Sequence, residues 1–120
     1  MGEIRSHRDL IVWQKAMDLA VEIYRLSALF PKSEMYRLVS QVTRACVSVP
    51  ANIAEGHARG SAKDYAQFLA VAKGSLMETE TFVMLALRLK YCSVQQAERV
   101  LNLITEISKM LTSLRSKLRP

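Results

Sequence analysis

Apolar residues recur three and four positions apart through four separate stretches, and a chain patterned in this way can bury them only as amphipathic helices. The first stretch runs from Asp9 and places Trp13, Ala16, Met17, Ala20 and Tyr24 on one stripe. Asp9 reads as its N-cap. Phe30-Pro31 stops it, because the residue before a proline avoids the helical region. The second starts near Ser33, carries Leu38, Val42, Ala45, Val49, Ile53 and Ala54, and ends between Gly56 and Gly60. Pro50 lies inside it and removes one backbone hydrogen bond, so the stretch reads as one kinked helix, with two short helices as the alternative.

The third stretch has the clearest start, Ser61-Ala62-Lys63-Asp64, where the serine hydroxyl can accept from the Asp64 amide and the carboxylate faces the positive helix end. Tyr65, Phe68, Leu69, Ala72, Leu76, Thr79, Val83 and Ala86 then hold one face to about Lys90. A capping box, Ser93-Val94-Gln95-Gln96, opens the fourth, which runs through Leu101, Ile104, Leu111 and Leu118. There is no strand pattern and no internal repeat. The expected fold is all-α: an antiparallel up-down-up-down four-helix bundle with a Pro-kinked second helix. Residues 1–8 are polar and aperiodic and read as a flexible N-terminal arm, leaving 9–120 as one bundle domain, long enough to bury its own core.

Two helices carry more apolar surface than a monomer needs. Helix one has a second stripe of Val12, Leu19, Ile23, Leu26 and Phe30, and helix four has Val100, Leu103, Ile107, Met110 and Leu114. A surface helix needs only a face about 100° wide, so the surplus predicts a homo-oligomer that touches through helices one and four.

Little in the chain supports catalysis. Helix two carries a polar stripe, Gln41, Arg44, Ser48, Asn52 and Glu55, and helix three supplies Asp64, Ser75 and Glu78. Antiparallel pairing about the loop near residue 60 makes positions summing to about 122 face each other. Arg44 then opposes Glu78, Ser48 lies near Ser75, and Glu55 lies near Asp64 and Tyr65. These residues could form a ligand pocket around Asn52, Glu55 and Glu78. The favoured reading is a hydrogen-bonded network that fixes helix register, since buried charges need partners. No Glu-x-x-His pair occurs, and His7 and His57 have no ligand partner nearby in sequence, so no metal or other cofactor is expected. Phosphate-loop and nucleophile-elbow motifs are missing too, and the expectation is no enzyme. Cys46 and Cys92 lack a CxxC neighbour and read as buried free thiols of a reducing compartment. No apolar run reaches the ~18 residues of a membrane span, and no signal-peptide core is visible, so the expected location is the cytoplasm with no membrane partner.

The net charge of +6 makes a polyanion a reasonable partner. In the expected bundle one end collects Arg5, Arg8, Arg59, Lys63, Arg115, Lys117 and Arg119 against Glu3, Asp9, Glu55 and Asp64. The other end holds Arg25, Lys32, Arg37, Arg88, Lys90 and Arg99 against Glu22, Glu34 and Glu98. Both ends are net positive, and the asymmetry counted this way is weak. Aromatic side chains are scarce near these residues, which disfavours sequence-specific reading of single strands.

Two blocks carry a resemblance. Ser48-Val49-Pro50-Ala51-Asn52-Ile53-Ala54-Glu55-Gly56, then Arg59, Ser61, Asp64-Tyr65, Phe68-Leu69 and Ala72-Lys73-Gly74-Ser75-Leu76-Met77-Glu78, resemble the four helix bundle proteins encoded by 23S rRNA intervening sequences. Asp9-Leu10-Ile11-Val12-Trp13-Gln14-Lys15-Ala16 and Gln41-Val42-Thr43-Arg44-Ala45 fit the same pattern. The resemblance implies a bacterial helical bundle assembled as a homopentamer. Through a distant relative, the accessory variability protein of diversity-generating retroelements, it also implies affinity for nucleic acid. The sequence reading is thus a non-enzymatic homo-oligomer that binds rRNA or other nucleic acid through basic surfaces. Its alternative is a scaffold for a partner protein with no nucleic-acid role.

Overall fold

The serine caps at 61 and 93 do what their spacing predicts. In the computed structural model, which describes residues 4–118, Ser61 Oγ accepts from the Asp64 amide at 3.1 Å and starts α3, Ala62–Arg88. Ser93 Oγ accepts from Gln96 N at 3.1 Å, and Gln96 Oε1 accepts from Ser93 N at 2.9 Å. This reciprocal box starts α4, Val94–Ser116. Ahead of them lie α1, Ile11–Ser27, and α2, Leu38–Ala58, with short 3-10 turns at His7–Asp9 and Lys32–Glu34. The fold is a four-helix bundle.

Each helix packs on two neighbours: α1 and α3 both contact α2 and α4, while the diagonal pairs stay apart. Ser48 meets Ser75 at 2.8 Å and Gly56 abuts Tyr65, so residue numbers rise along α2 as they fall along α3. Lys15 pairs with Glu106 at 2.8 Å and Arg99 with Glu22 at 3.2 Å, which gives the same opposed running of α1 and α4. These two ion pairs straddle an exposed seam and contribute little to stability.

Helix starts upstream of α3 depart from expectation. Asp9 does not cap α1. Its Oδ2 accepts from Arg5 N at 2.8 Å and Ser6 N at 3.3 Å, closing a box around the 3-10 turn one turn earlier. Leu10 then precedes α1 without a side-chain cap. Ser6–Arg8, read from sequence as part of a loose arm, belong to this turn, and the His7 ring stands edge-on to Trp13 at 5.0 Å. Residues 1–3 of that arm lie outside the described residues. Helix two begins at Leu38 rather than near Ser33, because the chain leaving Pro31 takes a 3-10 turn and Arg37 (φ −119°, ψ −103°) breaks the helical path. Pro50 sits buried inside one continuous α2, so the alternative of two short helices does not hold.

The core also selects a different face of α1. Val12, Leu19, Ile23, Leu26 and Phe30, expected as the surplus stripe, are buried together with Ala16 and Ala20. Met17 and Tyr24, expected inside, are exposed. Ala16 and Ala20 of the first stripe lie beside the second and go in with it, and burying the large aliphatics removes more area from water. On α4 the two stripes merge likewise: Ala97, Val100, Ile104, Ile107 and Leu111 are buried, with Leu101, Leu103, Met110 and Leu114 packed half-buried beside them. Only Val94 remains an exposed large apolar side chain on the described part of α4, so the expected surplus there is absorbed by the core.

The α3–α4 connection ends α3 with a Schellman motif. Tyr91 N donates to Ala86 O at 2.9 Å and Lys90 N to Leu87 O at 3.0 Å, which requires Lys90 in the left-handed region, at φ +62°. Glycine enters that region without the Cβ clash. Lys90→Gly should therefore raise stability by about 0.5–1 kcal/mol in urea unfolding, and a loss would show that the lysine side chain holds the turn. Tyr91 secures this end of the bundle: its ring lies 5.6 Å from Phe30, and its hydroxyl donates to Glu34 Oε2 at 3.2 Å.

Candidate nucleic-acid interface

At the centre of the polar stripe the structure brings three residues together. Asn52 Nδ2 donates to Ser48 O at 2.8 Å and Ser48 Oγ at 2.9 Å, and Ser48 Oγ shares a 2.8 Å hydrogen bond with Ser75 Oγ. Ser75 is buried, and Thr79, one turn on, donates to the Ser75 carbonyl at 2.9 Å. The rest of the stripe stays outside this cluster. Glu55 reaches Arg59 along its own helix at 3.7 Å, and Gln41 is exposed. Arg44 and Glu78 do not form the ion pair expected from register. Both are exposed, and no N···O approach within 4.0 Å joins them, although they line one cleft between α2 and α3. Opposed register brings the backbones together, but an exposed pair gains too little to hold two long side chains in one geometry. Phe82, which lines the same cleft, escaped the sequence reading. It lies one turn beyond Glu78, and the same i, i+4 spacing would have pointed to it.

The cations at the two ends differ in what surrounds them. At the end formed by the α1–α2 and α3–α4 connections, Arg25 and Arg99 both approach Glu22, at 3.7 and 3.2 Å, and Arg37 approaches Glu34 at 3.5 Å. Lys32, Arg88 and Lys90 there are exposed and form no ion pair among the described residues. At the opposite end Arg59 alone is engaged, with Glu55 at 3.7 Å and over the Phe68 ring at 4.9 Å. Arg5, Arg8, Lys63, Arg115 and Lys117 are exposed and form no ion pair among the described residues. Asp9 and Asp64 balance them only in part, two carboxylates against five cations. The candidate Arg119 lies outside the described residues.

Cys46 and Cys92 are free thiols, the first buried and the second half-buried. The Cys46 thiol donates to Thr43 O at 3.2 Å, and burial pushes its pKa up to about 12. Tyr65 is half-buried beside His57, with a hydroxyl that finds no partner among the described residues, and burial raises its pKa. No group of three or more His, Cys, Asp or Glu side chains among the described residues could hold a metal ion. No helix among them is long and apolar enough to cross a membrane.

No curated protein matches the chain. Among solved structures, a protein of unknown function from the S23 ribosomal protein family of Bacteroides thetaiotaomicron is similar to it at 30% identity. The TM-score is 0.79, over 88% of this chain and 98% of that one. The family model described as 23S rRNA-intervening sequence protein matches residues 8–113, a span that includes α1, α2 and α3 whole and most of α4. By that match the chain belongs to the 23S rRNA-intervening sequence protein family.

Proposed function

We propose that this protein is a non-enzymatic, self-associating bundle that binds RNA, through phosphates rather than base edges, at the end carrying Arg5, Arg8, Lys63, Arg115 and Lys117. The observation that carries the reading is the contrast in pairing between the two ends. Three of the six cations at the far end, Arg25, Arg37 and Arg99, must give up Glu22 or Glu34 to meet a phosphate, whereas all five at this end have no partner to give up. The family's name, with its reference to 23S rRNA, supports RNA as the polyanion. Arg59 extends the same surface beside its carboxylate. The protein works, on this reading, in the cytoplasm, where its thiols stay reduced.

Lys63→Gln, Arg115→Gln and Lys117→Gln combined should weaken binding to every duplex RNA tested, with folding unchanged because all three side chains are exposed. In fluorescence anisotropy over a salt series, the log–log slope should flatten by up to about 0.9 for each phosphate that is no longer neutralised. An unchanged slope, or no binding by the parent at low salt, would defeat the RNA reading.

Self-association rests on the outward face of α1. Met17, Val21 and Tyr24 follow one another at helical spacing and are all exposed, at 42%, 47% and 53%. A closed ring, a pentamer in the family-based expectation, would repeat the basic end several times and add avidity. Light scattering at micromolar concentration should give a mass several times 13.5 kDa, and a monomer would sink this part of the proposal. A second reading, a scaffold for a partner protein, is favoured by one feature. Tyr36 is 89% exposed at the far end, among the exposed Leu29, Met35 and Leu89. A partner there would bind with a shallow salt dependence.

A further inference from the structure

Between α2 and α3, lined by Ser48 and Ser75, lies an open cleft of about 520 Å³. That volume is in the range of small-molecule sites, and Gln41, Arg44, Ser48, Ser75 and Glu78 give it polar walls. Ser48 and Ser75 have two hydroxyl hydrogens between them and share one hydrogen bond. Ser48 Oγ also accepts from Asn52, so whichever serine donates to the other, one hydroxyl hydrogen remains without an acceptor among the described residues. Ser75 is only 7% exposed, so a hydrogen left on it has little solvent to turn to. A ligand oxygen in the cleft would satisfy the pair.

The charges around the cleft restrict that ligand further. Arg44 comes from α2 and Glu78 from α3, and they line the cleft without touching. A simple anion would meet Glu78 and a simple cation would meet Arg44. A nucleic-acid phosphate would gain one cation and lose as much to the carboxylate. A molecule carrying both charges a short distance apart satisfies both walls. Phe82 adds an apolar surface beside Glu78.

We propose that this cleft binds a small zwitterion of the α-amino-acid type with an apolar side chain. The carboxylate takes the Arg44 guanidinium and the spare serine hydroxyl, the ammonium takes Glu78, and the side chain lies on Phe82. Charge-assisted hydrogen bonds at both ends give the site its selectivity. The inference is independent of RNA binding, which uses a different end of the molecule.

Amide shifts in ¹H–¹⁵N spectra of the full chain test it, with L-leucine, L-methionine and L-phenylalanine as probes. Saturable shifts should appear around Arg44, Ser48, Ser75 and Glu78. N-acetyl and methyl ester derivatives, each lacking one charge, should bind at least about tenfold more weakly, as should Arg44→Gln and Glu78→Gln for the parent amino acids. Both side chains are exposed, so the variants should keep the parent's circular dichroism. No shift with any probe at millimolar concentration overturns the proposal, and so do capped derivatives that bind as well as the free amino acids. Shifts at these positions on dilution alone overturn it as well, by assigning the cleft to a second copy of the chain.

Discussion

Replacing Gly56 with alanine should destabilise the bundle by about 2 kcal/mol, even though the same change in an ordinary helix gains almost 1 kcal/mol in propensity. A Cβ at position 56 would stand 2.7 Å from Phe68 Cβ, 3.1 Å from Tyr65 Cδ1 and 3.3 Å from the Tyr65 carbonyl oxygen. The nearest of these atoms is a Cβ fixed to the α3 backbone, not the end of a flexible side chain. Relief therefore requires α2 and α3 to move apart where Gly56 faces Tyr65 and Phe68, and overpacking of this kind outweighs the propensity gain. Urea unfolding measures the difference. Gly74 supplies the control, since nothing lies within 4 Å of a Cβ built there, and Gly74→Ala should stabilise by about 0.5–1 kcal/mol. If Gly56→Ala proves as stable as the parent, the close approach is not a constraint on the fold.

Cys46 should react with disulfide reagents far more slowly than Cys92. Attack requires the thiolate, and with its pKa pushed up to about 12 the Cys46 thiol is ionised to only about one part in 10⁴ at pH 8. The Cys92 pKa is raised by burial as well, but that side chain is half-buried and open to reagent. One thiol per chain should label early, the second only as fast as the bundle opens. The same shift gives a pH dependence. The fold favours the neutral thiol, so its contribution is complete below pH 9 and declines as the pH rises toward 12. Cys46→Ala should show a shallower loss of stability above pH 9 than the parent. Equal labelling of both cysteines, or identical alkaline slopes, would contradict the burial argument.

Where a single short-range interaction decides a feature, the sequence was a reliable guide. Ser61 and Ser93 cap the helices they were read to cap, and opposed pairing across the 59–61 connection brings Ser48 to Ser75. Where two local solutions compete, it was not. Asp9 could cap α1 or close the turn before it, and the Arg5 and Ser6 amides are the ones it takes. On α1 two adjacent stripes compete for the core, and only the positions of α2 and α4 decide that Leu19 goes in and Tyr24 out. Register also says nothing about rotamers, which is why Arg44 and Glu78 share a cleft without pairing. The basic surface was legible as composition but not as availability. By charge count the two ends are nearly alike, whereas Glu22 and Glu34 hold Arg25, Arg37 and Arg99 at one, and at the other only Arg59 is paired.

The ring of packed helices implies an order of assembly. The link from α2 to α3 spans only Arg59–Ser61, and the Ser48–Ser75 hydrogen bond closes a loop of 27 residues. Arg99 and Glu22, by contrast, close one of 77, at an entropic cost larger by about 1 kcal/mol. The α2–α3 hairpin, with its interlocked Gly56 crossing, is then the nucleus on which the chain condenses, and the joining of α1 to α4 comes last. What closes last across the thinnest interface also opens first. In native-state hydrogen exchange the amides of α1 and α4 should belong to a lower-energy opening unit than those of α2 and α3, so the bundle breathes along one seam while its hairpin stays shut.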